Sequence, residues 1–184
     1  MNLTLKESLV TRSRVFSPWT AFYFLQSLLI NLGLGYPFSL LYTAAFTAIL
    51  LLLWRTLPRV QKVLVGISSL VAACYFPFAQ AYGAPNFNTL LALHSTNMEE
   101  STEILTIFPW YSYLVGIFIF ALGVIAIRRK KESEKARWNT FDSLCLVFSV
   151  ATFFVAPVQN LAWGGVFKLK DTGYPVFRFA KDVI

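Results

Sequence analysis

Formal charge is missing from four long stretches of this sequence: residues 15–54, 63–98, 104–127 and 143–167. Charged residues make up 14% of the chain and hydrophobic residues 57%, whereas a soluble domain carries about 25% charged residues. That scarcity excludes an ordinary water-soluble domain. Cysteine is scarce too. Cys74 and Cys145 both lie inside apolar runs, with no CxxC or Cys/His spacing, so neither a disulfide framework nor a cysteine metal site is indicated. A single histidine, His94, cannot make a conventional metal site. There is no GxSxG, no P-loop and no Ser/His/Asp set whose members could meet. The chain therefore carries no catalytic constellation of its own. The opening residues do not form a cleavable signal either, because the first apolar run is long and no small-residue cleavage site follows a short core.

What is present is a set of apolar runs long enough to cross a bilayer. A spanning helix needs ~20 apolar residues. The expected fold is an all-α polytopic membrane protein with five transmembrane helices at about 17–32, 38–54, 63–80, 110–127 and 141–157. Ser17-Pro18 supplies a cap and a first-turn proline for span one. "GLGYP" (33–37) reads as a tight turn into span two. "RTLPRVQK" (55–62) reads as a short basic loop, and Pro77 is expected to bend or stop span three near its end. Pro109 and an aromatic belt of Trp110, Tyr111 and Tyr113 open span four.

Positive charge orients the spans. The chain has a net charge of +7, and most of its basic residues border apolar runs. No basic stripe interleaves with aromatics on a soluble element, so nucleic acid is not an expected partner. Lys6, Arg12 and Arg14, then Arg55, Arg59 and Lys62, then "RRKKESEKAR" (128–137) fall on one side only if there are five spans with the N-terminus inside. The C-terminus and the 82–108 connection, an interfacial segment, then lie outside. Lys168, Lys170, Arg178 and Lys181 in the tail mildly violate the rule. A long domain after the tail would lessen that penalty, and the chain stops part way through an amphipathic pattern. The expectation is the membrane portion of a longer protein, with 158–184 as an interfacial bridging segment.

The outer connection holds the one acidic cluster, "HSTNMEESTE" (94–103). Thr96-x-x-Glu99 fits a capping box, which makes Glu99 a structural cap. At about 100° per residue, Glu99 and Glu103 fall on a watery face. Met98, Ile104, Leu105, Ile107 and Phe108 fall on an apolar one. Glu100 sits at the rim, at headgroup depth, where a carboxylate suits the ammonium of a zwitterionic lipid. Desolvation strengthens such a pair. Glu100 could equally mark only the rim of an interfacial helix. His94 reads as an interfacial polar residue rather than a ligand. Tyr82 and Asn88 lie on the same outer side, and Tyr82 alone would fit an aromatic belt.

The order Tyr82-Gly83, Asn88, Thr96 and Glu100 between spans three and four resembles the membrane domain of bacterial phosphoethanolamine transferases. One residue fewer separates Tyr-Gly from the acid than that pattern has. Both Glu99 and Glu100 are therefore possible counterparts, and the helix face favours Glu100. The opening 29 residues and the stretch "AYGAPNFNTLLALHSTNMEESTEIL" look closest to members acting on osmoregulated periplasmic glucans. The resemblance implies a bacterial inner-membrane enzyme with a periplasmic active face. It implies phosphatidylethanolamine as donor and a glucan as acceptor. It also implies a zinc-dependent periplasmic domain, absent from this chain, that carries the threonine nucleophile. Glu100, Tyr82, Asn88 and Thr96 would then line the lipid headgroup slot, with no catalytic or metal-binding residue in the chain itself. The alternative is a non-catalytic inner-membrane subunit or scaffold. A transporter is disfavoured by the lack of ionisable residues near the middle of any expected span.

Overall fold

The computed structural model describes residues 18–85, 106, 108–129, 140–162 and 174–183. They form six helices: α1 Pro18–Gly33, α2 Leu40–Thr56, α3 Pro58–Tyr82, α4 Trp110–Arg128, α5 Thr140–Ala162 and α6 Pro175–Val183. No strand occurs among the described residues. Helix is what physics requires of such runs, since a bilayer offers no water to satisfy backbone amides and carbonyls.

Three helices are long and apolar enough to cross a membrane: α3 with 25 residues, α4 with 19, and α5 over the 20 residues Thr140–Gln159. α2 is apolar but has 17 residues, and α1 has 16. At ~1.5 Å per residue those two are about 24–26 Å long, short of the ~30 Å hydrocarbon core. Large apolar side chains point outward, as on Ile117 and Val147, each 64% exposed.

Two expectations about chain breaks change. The basic loop 55–62 shrinks to the single residue Leu57. Its amide closes α2 by donating to the Leu53 carbonyl (2.8 Å), and its carbonyl accepts from the Gln61 amide (3.0 Å) to open α3. Pro58 permits this, because at the first helical position a missing N–H costs nothing. Arg59 and Lys62 therefore sit on α3. The helix ends also move: α3 runs to Tyr82, two residues beyond the expected end of span three at 80, and α5 runs past Pro157, the expected end of span five, to Ala162. Each proline deletes one amide of the ladder and leaves the neighbouring bonds in place.

The expected tight turn after α1 forms, and the structure gives its geometry. The Tyr36 amide donates to the Asn31 carbonyl (3.2 Å) and the Gly35 amide to that of Leu32 (3.0 Å). These are the paired bonds of a Schellman cap, with Gly35 at φ +78° in the left-handed position that favours glycine.

α3 is the centre of the bundle. α4 packs along it through small residues: a Cβ on Gly116 would lie 2.7 Å from the Ala73 carbonyl oxygen, and one on Gly123 2.6 Å from Ser69 Cβ. α1 approaches the same helix at Gly33, where a Cβ would lie 2.9 Å from Ala72 Cβ. Small residues let helix backbones come close in lipid, where no hydrophobic force drives helices together. α5 packs on α2, and its Ser149 hydroxyl reaches the Ala45 carbonyl at 3.4 Å.

A buried polar stripe runs down α1 at Tyr23, Gln26, Ser27 and Asn31. Gln26 Nε2 donates to Ser69 Oγ (3.1 Å), Asn31 Nδ2 to Thr43 Oγ1 (3.1 Å), Thr47 Oγ1 to Ser27 Oγ (3.2 Å) and Gln61 Nε2 to Tyr23 Oη (3.3 Å). Interhelical bonds of this kind are worth roughly 0.6 kcal/mol each. Together they tie α1 to α2 and α3.

Gly123→Ala is expected to cost about 2 kcal/mol, as an overpacked contact does, because its Cβ would meet the Ser69 Cβ and hydroxyl, and a Cβ cannot rotate away. Gly66→Ala meets only the tip of Ile127, at 3.1 Å, and should cost less. Thermal unfolding of the two variants in the same detergent checks the order.

Candidate functional site

The bundle has two chemically different ends. At one, α1 begins, α2 ends, α3 begins, α4 ends and α5 begins. The Arg129 guanidinium lies 4.2 Å from the Trp19 ring centre and 4.4 Å from that of Trp54, with Tyr23 at 5.8 Å. Arg55 pairs with Asp142, whose side chain is 4% exposed. Asp142 also stands in the first turn of α5, where the helix dipole favours an acid. Arg59 and Arg128 lie exposed at this same end. Its basic character matches the side that positive charge in short loops would mark.

The opposite end is aromatic and rich in hydroxyls. It is built where the α1–α2 turn, the end of α3, the start of α4 and α6 meet. Gly35 lies so close to the chain after α3 that a Cβ there would come within 2.3 Å of the Gly83 carbonyl oxygen. Gly83 is itself left-handed, at φ +71°, and its amide closes α3 on the Ala79 carbonyl at 2.9 Å. Its carbonyl accepts from the Tyr75 hydroxyl at 3.0 Å. The start of α4 is fixed to α3 by Ser112 Oγ, which donates to Gln80 Oε1 at 2.7 Å.

α6 lays its apolar side on this end. Phe179 meets the Tyr75 ring edge-on at 5.2 Å, and the Arg178 guanidinium stands 5.6 Å from the Tyr36 ring. Tyr174, just before α6, is 1% exposed and lies between Tyr42 (5.8 Å) and Phe153 (6.3 Å). Its hydroxyl donates to the Ser149 carbonyl at 2.8 Å. Burial pushes the Tyr174 phenol up to about 12, against a smaller opposing effect of its bonds toward Ser149 and Thr152.

Of the residues expected to form a headgroup site, Tyr82 is described. It ends α3 at this aromatic end with its side chain 53% exposed. Asn88, Thr96, Glu99 and Glu100 lie outside the described residues, as do His94 and Glu103. The described chain flanks them with Gly83 on one side and Phe108 on the other. Tyr36, Tyr42, Tyr75, Tyr174 and Phe179 were not singled out from the sequence. The available signal was tyrosine recurring at the ends of apolar runs, which also suits a simple interfacial belt. Among the described residues no three His, Cys, Asp or Glu side chains gather where a metal could bind.

The helices and this two-ended polarity define an all-helical protein with helices suited to crossing a membrane. No protein-family profile matches the chain, and no solved structure matches it. Over all 184 residues it is 98% identical to the phosphoethanolamine transferase OpgE of Escherichia coli (strain K12). The chain spans 35% of that protein's length.

A phenol with a raised pKa stabilises the folded state below its unfolded value of ~10, and that stability is lost as pH rises through about 12. Absorbance titration should therefore show Tyr174 within a late-ionising tyrosine phase. Tyr174→Phe should reduce this late phase by one tyrosine and cost about 1 kcal/mol for the lost hydrogen bond.

Proposed function

We propose that this chain is the membrane domain of a phosphoethanolamine transferase that binds the donor lipid and anchors a catalytic domain outside the bilayer. The observation that carries this reading is the 98% identity to OpgE along the whole chain. The aromatic, hydroxyl-rich end and the basic opposite end are what such a domain needs. One suits the lipid headgroup region on the active side, the other the cytoplasmic surface.

In this reading there are five spans, α1 to α5, in the bacterial inner membrane, with the N-terminus cytoplasmic. The aromatic end faces the periplasm. The donor is phosphatidylethanolamine and the acceptor a periplasmic glucan. The Glu100 carboxylate pairs with the ethanolamine ammonium, while Tyr82, Asn88 and Thr96 line the headgroup slot. Glu99 serves as the structural cap of the helix that carries Glu100. α6 continues along the outer leaflet as the bridge to the catalytic domain. Zinc and a nucleophilic threonine belong to that domain, where the metal would activate the nucleophile and polarise the phosphate. The task of this chain is to hold the ammonium end so that the phosphate is presented to the nucleophile, which converts part of the encounter cost into binding.

Glu100→Gln in the full-length protein is expected to lower transfer from labelled phosphatidylethanolamine at least ~10-fold, the scale of losing one charged hydrogen bond. Glu99→Gln and Glu103→Gln should change it much less. Wild-type transfer by Glu100→Gln would reject the headgroup role. Sidedness has its own check. In intact cells a membrane-impermeant maleimide should label Trp110→Cys, whose parent residue is 73% exposed at the aromatic end. Arg59→Cys at the basic end should be labelled only after permeabilisation.

A further inference from the structure

Tyr75 does more than close the bundle. It lies inside α3, well before Tyr82, and is 8% exposed. Three contacts leave it in three directions. Its hydroxyl donates to the Gly83 carbonyl at 3.0 Å. Its ring stacks with Phe78 at 6.3 Å and an interplanar angle of 22°, and Phe78 in turn meets Phe108 edge-on at 5.0 Å. Its ring also meets Phe179 of α6 in a T-shaped contact at 5.2 Å.

Gly83 and Phe108 are far apart in sequence, and one stands on each side of the 86–105 connection. Phe108 is 7% exposed, so it is held in place rather than merely near. Gly83 has no side chain, and its left-handed backbone is fixed by two hydrogen bonds, its own to Ala79 and the one from Tyr75. Ala84 beyond it packs partly buried on the core. The Tyr75–Phe78 pair therefore fixes both flanks of the connection, and α6 is seated on that same pair.

We propose that Tyr75 is a positioning residue for lipid binding: through Gly83, Phe78–Phe108 and Phe179 it sets the flanks of the 86–105 connection relative to α6. This rests on the reading that the connection holds the donor headgroup and that α6 leads to the catalytic domain. A residue in this place couples the position of the donor to that of α6 through one side chain, alongside the Ser112–Gln80 bond and the Tyr174 contacts. It touches neither the headgroup nor the reacting atoms.

The test has two arms. In a full-length background with Cys74 and Cys145 replaced by Ala, Ala84→Cys reports the rate of maleimide labelling beside Gly83. Tyr75→Phe keeps every ring contact and removes only the hydroxyl bond. It should speed labelling about five-fold, the scale of one lost hydrogen bond. In the second arm, Tyr75→Leu and Phe179→Leu in the otherwise native full-length enzyme should raise KM for phosphatidylethanolamine about ten-fold with kcat near wild type. Tyr75→Phe should recover most of that loss. A merely structural role would lower the yield of folded enzyme and leave KM unmoved. Unchanged labelling in Tyr75→Phe overturns the proposal whatever the transfer assay reads. So does a loss confined to folded yield. Faster labelling with a raised KM supports it. The headgroup reading fails separately, through wild-type transfer by Glu100→Gln.

Discussion

Close backbone contact along α3 is the constraint from which the rest of the bundle follows. Gly33 of α1 and Gly116 and Gly123 of α4 leave no room for a Cβ against Ala72, Ala73 and Ser69. In lipid there is no hydrophobic drive between helices, so contact distance decides the association. With α1 and α4 held to α3, the ends of all three are fixed together. Tyr23 can then reach Gln61 at one end, and Ser112 can reach Gln80 at the other. The Tyr75 hydroxyl meets Gly83 just past the end of its own helix, but Gly35 can crowd that glycine only because α1 lies so near.

The two ends use different chemistry for the same job of closing the bundle. The basic end relies on cations: Arg129 against two tryptophans, and Arg55 with a carboxylate that is nearly buried. A half-buried ion pair earns little as net stability, but losing one partner strands the other charge. It therefore pins the end of α2 to the start of α5 more by penalty than by gain. The other end relies chiefly on neutral groups, phenols that donate to backbone carbonyls and pack their rings on one another, with Arg178 over the Tyr36 ring as its cation. Neutral hydroxyls can be buried beside apolar rings without the solvation cost of a charge. That leaves this end free to present a few selected polar groups, Tyr82 among the described ones.

Much of the fold was legible because its causes are local. Apolar runs, the Gly-Tyr-Pro turn and the first-turn prolines act within a few residues, and the helices formed where those signals stood. The misjudged breaks were also local in origin. Arg55, Arg59 and Lys62 read as a loop because charge and proline usually punctuate helices, yet Pro58 at a first helical position joins two helices with one residue between them. The expected end of span three lies soon after Pro77 and that of span five at 157, but a single missing amide does not end a helix, and both run on, to Tyr82 and Ala162. The candidate site was legible only as residue types on one expected side of the membrane. Its acidic members, Glu99 and Glu100, rest on helix-face geometry and on resemblance, while Tyr82 alone has a described place.

Composition and charge spacing by themselves determined that the chain is helical, apolar enough to suit a membrane and polarised, because solvation of backbone and charge is decided residue by residue. The tertiary structure decided what no local rule contains. It paired Asp142 with Arg55 across the gap between α2 and α5. It placed Arg129 between Trp19 and Trp54. It seated α6 on Tyr75, the residue that also holds Gly83. Those choices depend on which helix faces lie together at close range, and that is set by shape complementarity between segments distant in sequence.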